Sequence, residues 1–143
     1  MSRTARSPTV VFDTNVFVAE LGFPDEPPVC VALAEAGAVE LAVSPPLVRE
    51  FSAVLDYDRL RLPAERHAEV VERVVESARV VEPAVSVDAT EDPNDDAVIE
   101  CALSAGAERV VSDDAHLTAL DGIGGVEVLT RDAFLDRYAD RDE

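Results

Sequence analysis

The sequence predicts an α/β fold in which helices cover both faces of a central parallel sheet. Short, valine-rich apolar runs alternate along the chain with longer stretches whose apolar residues have helical spacing. Strands of a parallel sheet are buried on both faces, so their sequences are continuously apolar. We expect a three-layer α/β/α sandwich with four to five parallel strands. The 143 residues fit one domain, 1–143, with a flexible N-terminus over 1–8.

The first part of the chain contains two predicted strands and two predicted helices. The apolar run 9–12 is the first strand, and a helix begins at Thr14 or Asn15. Glycine and prolines at 22–28 end that helix, and a second helix over 27–36 stops at Gly37, which suits a left-handed C-terminal position. The run 39–43 is the second strand.

Two helices and a short strand are predicted next. Ser44, followed by two prolines, has the composition of a helix N-terminus, with serine as the N-cap. Pro63 opens another helix, and the run 79–81 is a short strand. The apolar residues at helical spacing are Leu47, Val48, Phe51, Val54 and Leu55 in the first helix, and Ala68, Val71, Val74 and Val75 in the second.

The last part of the chain begins with an acidic stretch at 92–96. A helix over 97–105 follows and ends at Gly106. The runs 110–111 and 126–129 are the fourth and fifth strands. Thr130 then caps a final helix that carries Phe134, Leu135 and Tyr138. Right-handed crossovers would place all five strands side by side in one sheet.

The charge of the chain is strongly acidic, with a formal net charge of −18 at pH 7. All 12 basic residues are arginine. Such acidity argues against nucleic-acid binding through a basic surface. Acidity without lysine is typical of proteins in concentrated salt, where self-repulsion is screened, and divalent metals can bridge carboxylates to phosphates. We therefore expect a salt-rich setting.

The location of the protein and the state of its cysteines follow from simpler patterns. No apolar run approaches the roughly 20 residues that span a bilayer, and no secretory segment follows the N-terminus, so a cytoplasmic protein without membrane contact is expected. Cys30 and Cys101 lie among apolar neighbours without metal-binding spacing, which predicts buried, reduced thiols.

Acidic residues recur at or after the ends of the predicted strands. Asp13 follows the first strand, Glu50 lies in the helix after the second, Asp96 begins the helix after the acidic stretch, and Asp113 and Asp114 follow the fourth. The carboxyl ends of parallel strands meet at one edge, where ligands bind. Carboxylates gathered there would repel one another without a cation, and Mg²⁺ and Mn²⁺ prefer such oxygen ligands. One or two ions of this kind can activate water to hydrolyse a phosphodiester.

Each of these residues, taken alone, also has an ordinary structural explanation. Asp13 could be a helix N-cap, Glu50 a solvated helix residue, and the 92–96 stretch a capping turn. Both histidines are expected to be structural or merely exposed: His67 on a helix surface and His116 two residues beyond Asp114. The joint placement of the acids at strand ends favours a functional site.

Four segments of the chain resemble the motifs of PIN-domain nucleases, in the order found in that family: 10–16, 44–51, 92–106 and 110–114. The resemblance extends from about Val10 to Phe134 and is strongest to the toxin components of toxin–antitoxin pairs. It implies that the catalytic metal ligands are Asp13, Glu50, Asp96 and Asp114, with Asp92, Asp95 and Asp113 as secondary candidates. It also implies that the residues orienting carboxylates or contacting phosphate are Thr14, Asn15 and Ser112.

The function implied by this resemblance is that of an Mg²⁺- or Mn²⁺-dependent endoribonuclease. RNA would be the substrate, an antitoxin protein the partner, and a homodimer the assembly. A metal-dependent phosphatase or phosphotransfer domain is one alternative, although such enzymes typically place an acidic residue where this chain has Asn15. An inactive PIN-like domain that binds a partner is another.

Overall fold

The computed structural model describes residues 7–23, 27–56, 62–88, 90–120 and 123–138. Most of the expected flexible N-terminus, residues 1–6, lies outside these ranges. The strands are β1 (Thr9–Phe12), β2 (Glu40–Val43), β3 (Ala78–Val80), β4 (Arg109–Val111) and β5 (Glu127–Leu129). The helices are α1 (Thr14–Leu21), α2 (Val29–Glu35), α3 (Pro45–Leu55), α4 (Ala64–Ser77), α5 (Pro93–Ala105), α6 (Ala115–Thr118) and α7 (Arg131–Tyr138), with a 3₁₀ turn at Ile123–Gly125.

The five strands form one parallel sheet in the order β3-β2-β1-β4-β5. Strand β1 is central: Val10 is in register with Leu41 of β2 on one side and with Arg109 of β4 on the other. Helices flank the sheet, which confirms the predicted α/β fold with five parallel strands. Along the chain, β2 and β3 are added on one side of β1, and β4 and β5 are then added on its other side. The direction in which strands are added therefore reverses between β1 and β4. In open α/β sheets, this reversal opens a crevice at the carboxyl ends of the strands.

An aromatic cluster fixes three helices to the end of β1. The ring of Phe12, the last residue of β1, lies 5.7 Å from that of Phe17 in α1 and 5.5 Å from that of Phe134 in α7. The Phe17 ring lies 5.4 Å from that of Phe51 in α3. All four rings are buried. Such ring pairs add to the free energy gained by burial, and here they fix the backbone immediately before Asp13.

The largest difference from the prediction is the start of α5. This helix begins at Pro93, four residues earlier than expected, because the Asp92 side chain accepts a hydrogen bond from the Asn94 N–H at 2.9 Å and Pro93 suits the first turn. Asp95 and Asp96 therefore lie in the first turn of a helix instead of in a loop, and both are buried. Helix α6 and the 3₁₀ turn were not predicted.

One local expectation was wrong, and another holds only in part. The core-facing residues of α4 are Val70 and Val74, whereas Ala68 and Val75 are exposed, because the buried stripe is rotated relative to the predicted one. Ser44 does occupy the N-cap position of α3, but its side chain makes no capping hydrogen bond. Instead, Ser44 is fully buried behind the helix start.

Three helix ends are as expected. Gly37 and Gly106 have the positive φ angles that suit the residue after a helix. The Thr130 hydroxyl accepts the predicted capping hydrogen bond from the Ala133 N–H, at the start of α7. These three positions could be predicted because each depends on a single residue and its immediate neighbours.

A buried carboxylate connects α1, α2 and α7. Glu20 is 1% exposed, and its oxygens accept hydrogen bonds from the Cys30 N–H at 2.9 Å and the Val31 N–H at 3.0 Å. Arg131 Nε donates to the same carboxylate at 2.9 Å. Glu20 therefore satisfies the first-turn N–H groups of α2 and pairs with the first residue of α7.

Both cysteines are buried free thiols, as expected. The main cause of the raised pKa of each thiol is burial. In the described part of the chain, no helix combines the length and apolar character needed to cross a membrane.

Candidate active site

The candidate site lies where the strand order reverses, at the carboxyl ends of β1 and β4. The Asp13 N–H donates to the Val111 carbonyl at 2.9 Å, which extends the pairing of the two strands by one residue. Asp13 and Ser112 therefore leave the sheet side by side. The topology thus brings together two acidic segments that lie about a hundred residues apart in the sequence.

Ser112 connects the first acidic segment to the fourth. Its buried hydroxyl donates to Asp13 Oδ2 at 2.7 Å and accepts from the Asp114 N–H at 3.0 Å. Asp13 occupies the N-cap position of α1, yet its side chain makes no capping hydrogen bond. The Ser112 hydroxyl therefore holds the Asp13 carboxylate and links it to the backbone of Asp114.

A cleft of about 390 Å³ opens over these residues, and we call it the carboxylate cleft. Asp13, Thr14 and Asn15 line it at the start of α1, and Glu50 reaches it from α3. Asp95 lines it from α5, and Asp114 lines it beyond β4. Its full lining is Asp13, Thr14, Asn15, Val18, Ala19, Phe23, Glu50, Val54, Asp92, Asp95 and Asp114.

In the third acidic segment, Asp95 lines the cleft and Asp96 does not. Asp96 Oδ1 accepts hydrogen bonds from the Thr90 N–H at 2.9 Å and from the Thr90 hydroxyl at 3.0 Å. Asp96 thus holds the segment before α5 against its first turn. Neighbouring residues of a helix point about 100° apart, so the early start of α5 determines which of the two faces the cleft.

Asp113 and Asp114, the two candidate ligands after β4, differ in the same way. Asp114 lines the cleft, whereas Asp113 is exposed and accepts a hydrogen bond from the Arg131 N–H at 2.9 Å, at the start of α7. Asp113 therefore has a structural contact away from the cleft. Asp92, the remaining secondary candidate, lines the rim of the cleft while capping α5.

The carboxylates in the cleft affect one another's ionisation. Burial raises the pKa of Asp13, and the Asp114 charge adds to this while the Ser112 hydroxyl opposes it. Burial also raises the pKa of Glu50, with further contributions from the charges of Asp13, Asp92 and Asp95. The pKa of Asp95 rises to about 6 through burial and through the charges of Asp114, Asp92 and Asp13. Like charges therefore repel one another in this cleft, and a bound cation would relieve the repulsion.

One wall of the cleft is apolar. Val18 and Ala19 of α1, Val54 of α3 and Phe23 line it. Phe23 is 43% exposed, although large aromatic residues are usually well buried. The cleft therefore has an apolar surface beside its carboxylates.

Positive side chains do not contribute to the described lining of the cleft. Among the described residues no arginine lines it. Arg49 is exposed on α3 outside the cleft lining. Arg59 and Arg61 lie outside the described residues.

A histidine joins the acids at one end of the cleft. Among the described residues, Asp95, Asp114 and His116 form a group whose ligand atoms all lie within 4.8 Å of one another. His116 was expected to be structural or merely exposed. The signal that could have found it is its position two residues beyond Asp114, but α6 is only four residues long, too short for a periodic pattern to show which way the side chain points.

Comparisons with known proteins agree with this architecture. A family model described as PIN domain matches residues 9–116. The solved structure of PAE2754 from Pyrobaculum aerophilum has a TM-score of 0.58 and 17% identity, covering 94% of this chain and 90% of that one. The structure of the PIN domain endonuclease Utp24 has a TM-score of 0.53 and 14% identity, covering 85% of this chain and 84% of that one. No curated protein matches the chain. The family match runs from β1 to α6 and includes every acidic residue that lines the cleft, so the chain belongs to the PIN-domain family.

Proposed function

We propose that this protein is a metal-dependent endoribonuclease that hydrolyses RNA phosphodiester bonds in the carboxylate cleft. PIN domains are generally metal-dependent nucleases. The observation that carries the proposal is the convergence of Asp13, Glu50, Asp95 and Asp114 from four separate segments on one cleft. Placing four carboxylates at one edge, with Asp13 and Asp95 buried, costs free energy unless a cation binds there.

The residues of the cleft suit Mg²⁺ or Mn²⁺. Asp13, Glu50, Asp95 and Asp114 supply carboxylate oxygens. Asp96 remains a predicted ligand, but it would have to break its two hydrogen bonds with Thr90 to bind an ion. A bound ion would lower the pKa of a water and stabilise charge on the phosphate.

Neighbouring polar residues support the carboxylates. Ser112 holds the Asp13 carboxylate in one orientation through its 2.7 Å hydrogen bond. Thr14 and Asn15 line the same part of the cleft, where they can contact the substrate. These are the three orienting or phosphate-contacting residues that the family resemblance implies.

The substrate would be held by metal and by apolar contact, with little help from positive side chains. Because no arginine of the described residues lines the cleft, ion-bridged phosphate contacts replace direct ones. The wall formed by Val18, Ala19, Phe23 and Val54 offers a surface for a sugar or an unstacked base. Bases that can be splayed out occur in single-stranded RNA, so the proposal favours single-stranded segments.

The biological setting is also part of the proposal. The four motifs resemble most closely the toxin components of toxin–antitoxin pairs, which supports a cytoplasmic toxin whose partner is an antitoxin protein. A homodimer is proposed on the same resemblance. Co-purification with the product of the neighbouring gene, followed by loss of cleavage in the complex, would support this role, and cleavage that the neighbour does not affect would contradict it.

The central test is the substitution Asp13→Asn. We expect it to reduce metal-stimulated cleavage of a labelled single-stranded RNA at least about a hundredfold and to weaken Mn²⁺ binding in titration calorimetry, because it removes a carboxylate from the cleft. Circular dichroism should show an unchanged fold. Asp88→Asn is the matched control, since Asp88 is an exposed acid that does not line the cleft, and it should cleave like the wild type.

Two other outcomes would replace this proposal. Hydrolysis of an aryl phosphate in place of RNA would favour a phosphatase, although Asn15 stands where such an enzyme would need an acid. Absence of metal binding in the wild type would favour an inactive domain that only binds a partner. Unchanged RNA cleavage in Asp13→Asn would reject the carboxylate cleft as the active site.

A further inference from the structure

We propose that His116 is a direct nitrogen ligand of the metal ion bound at the carboxylate cleft, and that it makes the site selective for Mn²⁺ over Mg²⁺. This inference rests on the proposed metal-dependent function and adds the identity of the ion. It concerns a residue that the acidic pattern of the sequence does not include.

The geometry of three side chains carries the first step. Asp95, Asp114 and His116 each offer one ligand atom within 4.8 Å of the other two, so small adjustments of the side chains would let one ion bind all three. They come from two different segments, the first turn of α5 and the start of α6. Asp95 and Asp114 also line the carboxylate cleft, so an ion bound here would lie at its edge.

The backbone places His116 in this position by a short local structure. The Asp114 carboxylate accepts a hydrogen bond from the His116 N–H at 2.8 Å and thereby caps α6. Nδ1 of the His116 ring lies 3.5 Å from the same carboxylate oxygen. The ring is thus held beside a proposed ligand, while 84% of the side chain remains exposed. Such an exposed ring can rotate onto an ion without repacking the core.

The second observation is a hollow next to the cleft. His116 lines a cavity of about 600 Å³ together with Thr90, Asp92, Asp95 and Leu120. Asp92 and Asp95 line both this cavity and the carboxylate cleft. His116 therefore lies beside the acidic residues that the cavity shares with the cleft, and Asp95 and His116 are both open to water and ions from the cavity side.

The ligand set determines which ion is preferred. Mg²⁺ demands oxygen ligands in near-ideal octahedral geometry and keeps most of its waters. Imidazole nitrogen suits transition metals better, although Mn²⁺ also accepts carboxylate and water ligands. Two carboxylates and one imidazole thus favour Mn²⁺, whereas the carboxylates alone would accept Mg²⁺ nearly as well.

The test uses Mn²⁺ itself as the probe, bound to the full chain at less than one equivalent. Pulsed electron paramagnetic resonance detects ¹⁴N coupling from a directly bound imidazole. We expect this coupling in the wild type and its loss in His116→Gln. Titration calorimetry should show Mn²⁺ affinity reduced about tenfold in this variant and Mg²⁺ affinity changed less than about twofold.

His67→Gln is the matched control. His67 is the other of the chain's two histidines. Its ring lies on α4, with one nitrogen 3.0 Å from the Ser52 hydroxyl and the other 3.0 Å from the Asp56 carboxylate, and it does not line the cleft. The control should keep the nitrogen coupling and the preference for Mn²⁺. Because the chain has two histidines, the pair of variants assigns the signal without ambiguity.

The outcomes separate this inference from the proposed function. Bound Mn²⁺ without nitrogen coupling in the wild type, or coupling that persists in His116→Gln, overturns the role of His116 even if RNA cleavage still depends on Asp13. Nitrogen coupling that disappears in His116→Gln supports the metal site even if RNA proves not to be the substrate.

Discussion

At the scale of single residues, the site depends on which of two adjacent carboxylates faces the cleft. Asp95 and Asp96 differ by one position, yet one lines the cleft and the other holds Thr90. The environment of Asp95 raises its pKa to about 6. A carboxyl group whose pKa is raised on folding binds its proton more tightly in the folded state, so ionisation destabilises the fold.

The pH dependence of stability follows from that sign. In the metal-free protein, the contribution of Asp95 to the free energy of unfolding is fully present below its ordinary pKa of 3.8. This contribution is lost as the pH rises through about 6. We expect the urea midpoint of chelator-treated protein to fall between about pH 4 and pH 7. Arginine partners lower the pKa values of Glu35 and Glu127, so these two residues stabilise the fold above the ordinary glutamate pKa of 4.5. Their contribution is lost only as the pH falls below that value, largely below the range in which Asp95 acts.

Asp95→Asn isolates this effect. The variant should be more stable than the wild type at pH 7 without metal and should show a flatter pH profile. Added Mn²⁺ should stabilise the wild type at pH 7 and have little effect on the variant. If Asp95→Asn has the same pH dependence of stability as the wild type, the neighbouring carboxylates do not repel the charge of Asp95.

At the scale of elements, two Glu–Arg pairs join helices in different surroundings. Glu20 is buried and supports both the start of α2 and Arg131. Glu35 of α2 pairs with Arg73 of α4 at 2.7 Å, but both of these side chains are more than a third exposed. Removing one partner of a buried pair leaves a charge without compensation, whereas an exposed pair contributes little.

We expect Glu20→Gln to lower the free energy of unfolding by about 3 kcal/mol and Glu35→Gln to lower it by at most about 1 kcal/mol. The carboxamide introduced by Glu20→Gln carries an NH₂ group, which would face N–H donors, and it leaves the Arg131 charge without a counter-ion. Urea denaturation of both variants at one salt concentration measures the difference. Equal losses would show that burial of Glu20 adds nothing to its pairing.

The elements also show which parts of the fold and of the site could be predicted from the sequence. Continuous valine-rich runs predicted all five strands, because parallel strands are buried on both faces. The ends of the first and fourth predicted strands also placed Asp13 and the pair Asp113 and Asp114 at one edge of the sheet, without choosing between the two residues of the pair. The start of α5 could not be predicted from spacing, since the capping of Asn94 by Asp92 decides it. The exposure of His116 and the N-cap position of Ser44 were predicted, but the proximity of His116 to Asp95 and the burial of the Ser44 side chain were not. Both depend on tertiary packing around a short segment with no period of its own.

At the scale of the whole molecule, the net charge of −18 opposes folding. Like charges spread over a small domain repel one another within the Debye length, which falls from about 10 Å at 0.1 M salt to about 3 Å at 1 M. The exposed ion pairs are too weak to reverse this balance. The protein should therefore be at its most stable in concentrated salt.

We expect the Tm to rise by about 5–10 °C when KCl is increased from 0.1 M to 1 M at pH 7. Scanning calorimetry measures the shift. At pH 4, where many carboxylates are protonated, the same salt change should have a smaller effect. A Tm that falls with added KCl would contradict an acidic surface adapted to salt and would point to stabilisation by ion pairs.

The hydrogen bond between Ser112 and Asp13 spans 99 positions of the sequence, and this separation has a consequence for synthesis of the protein. A growing chain on the ribosome contains Asp13 and Glu50 long before β4 has left the exit tunnel. Without β4, neither Ser112 nor Asp114 can complete the cluster. The carboxylate cluster would thus stay incomplete until β4 has been synthesised and has left the exit tunnel.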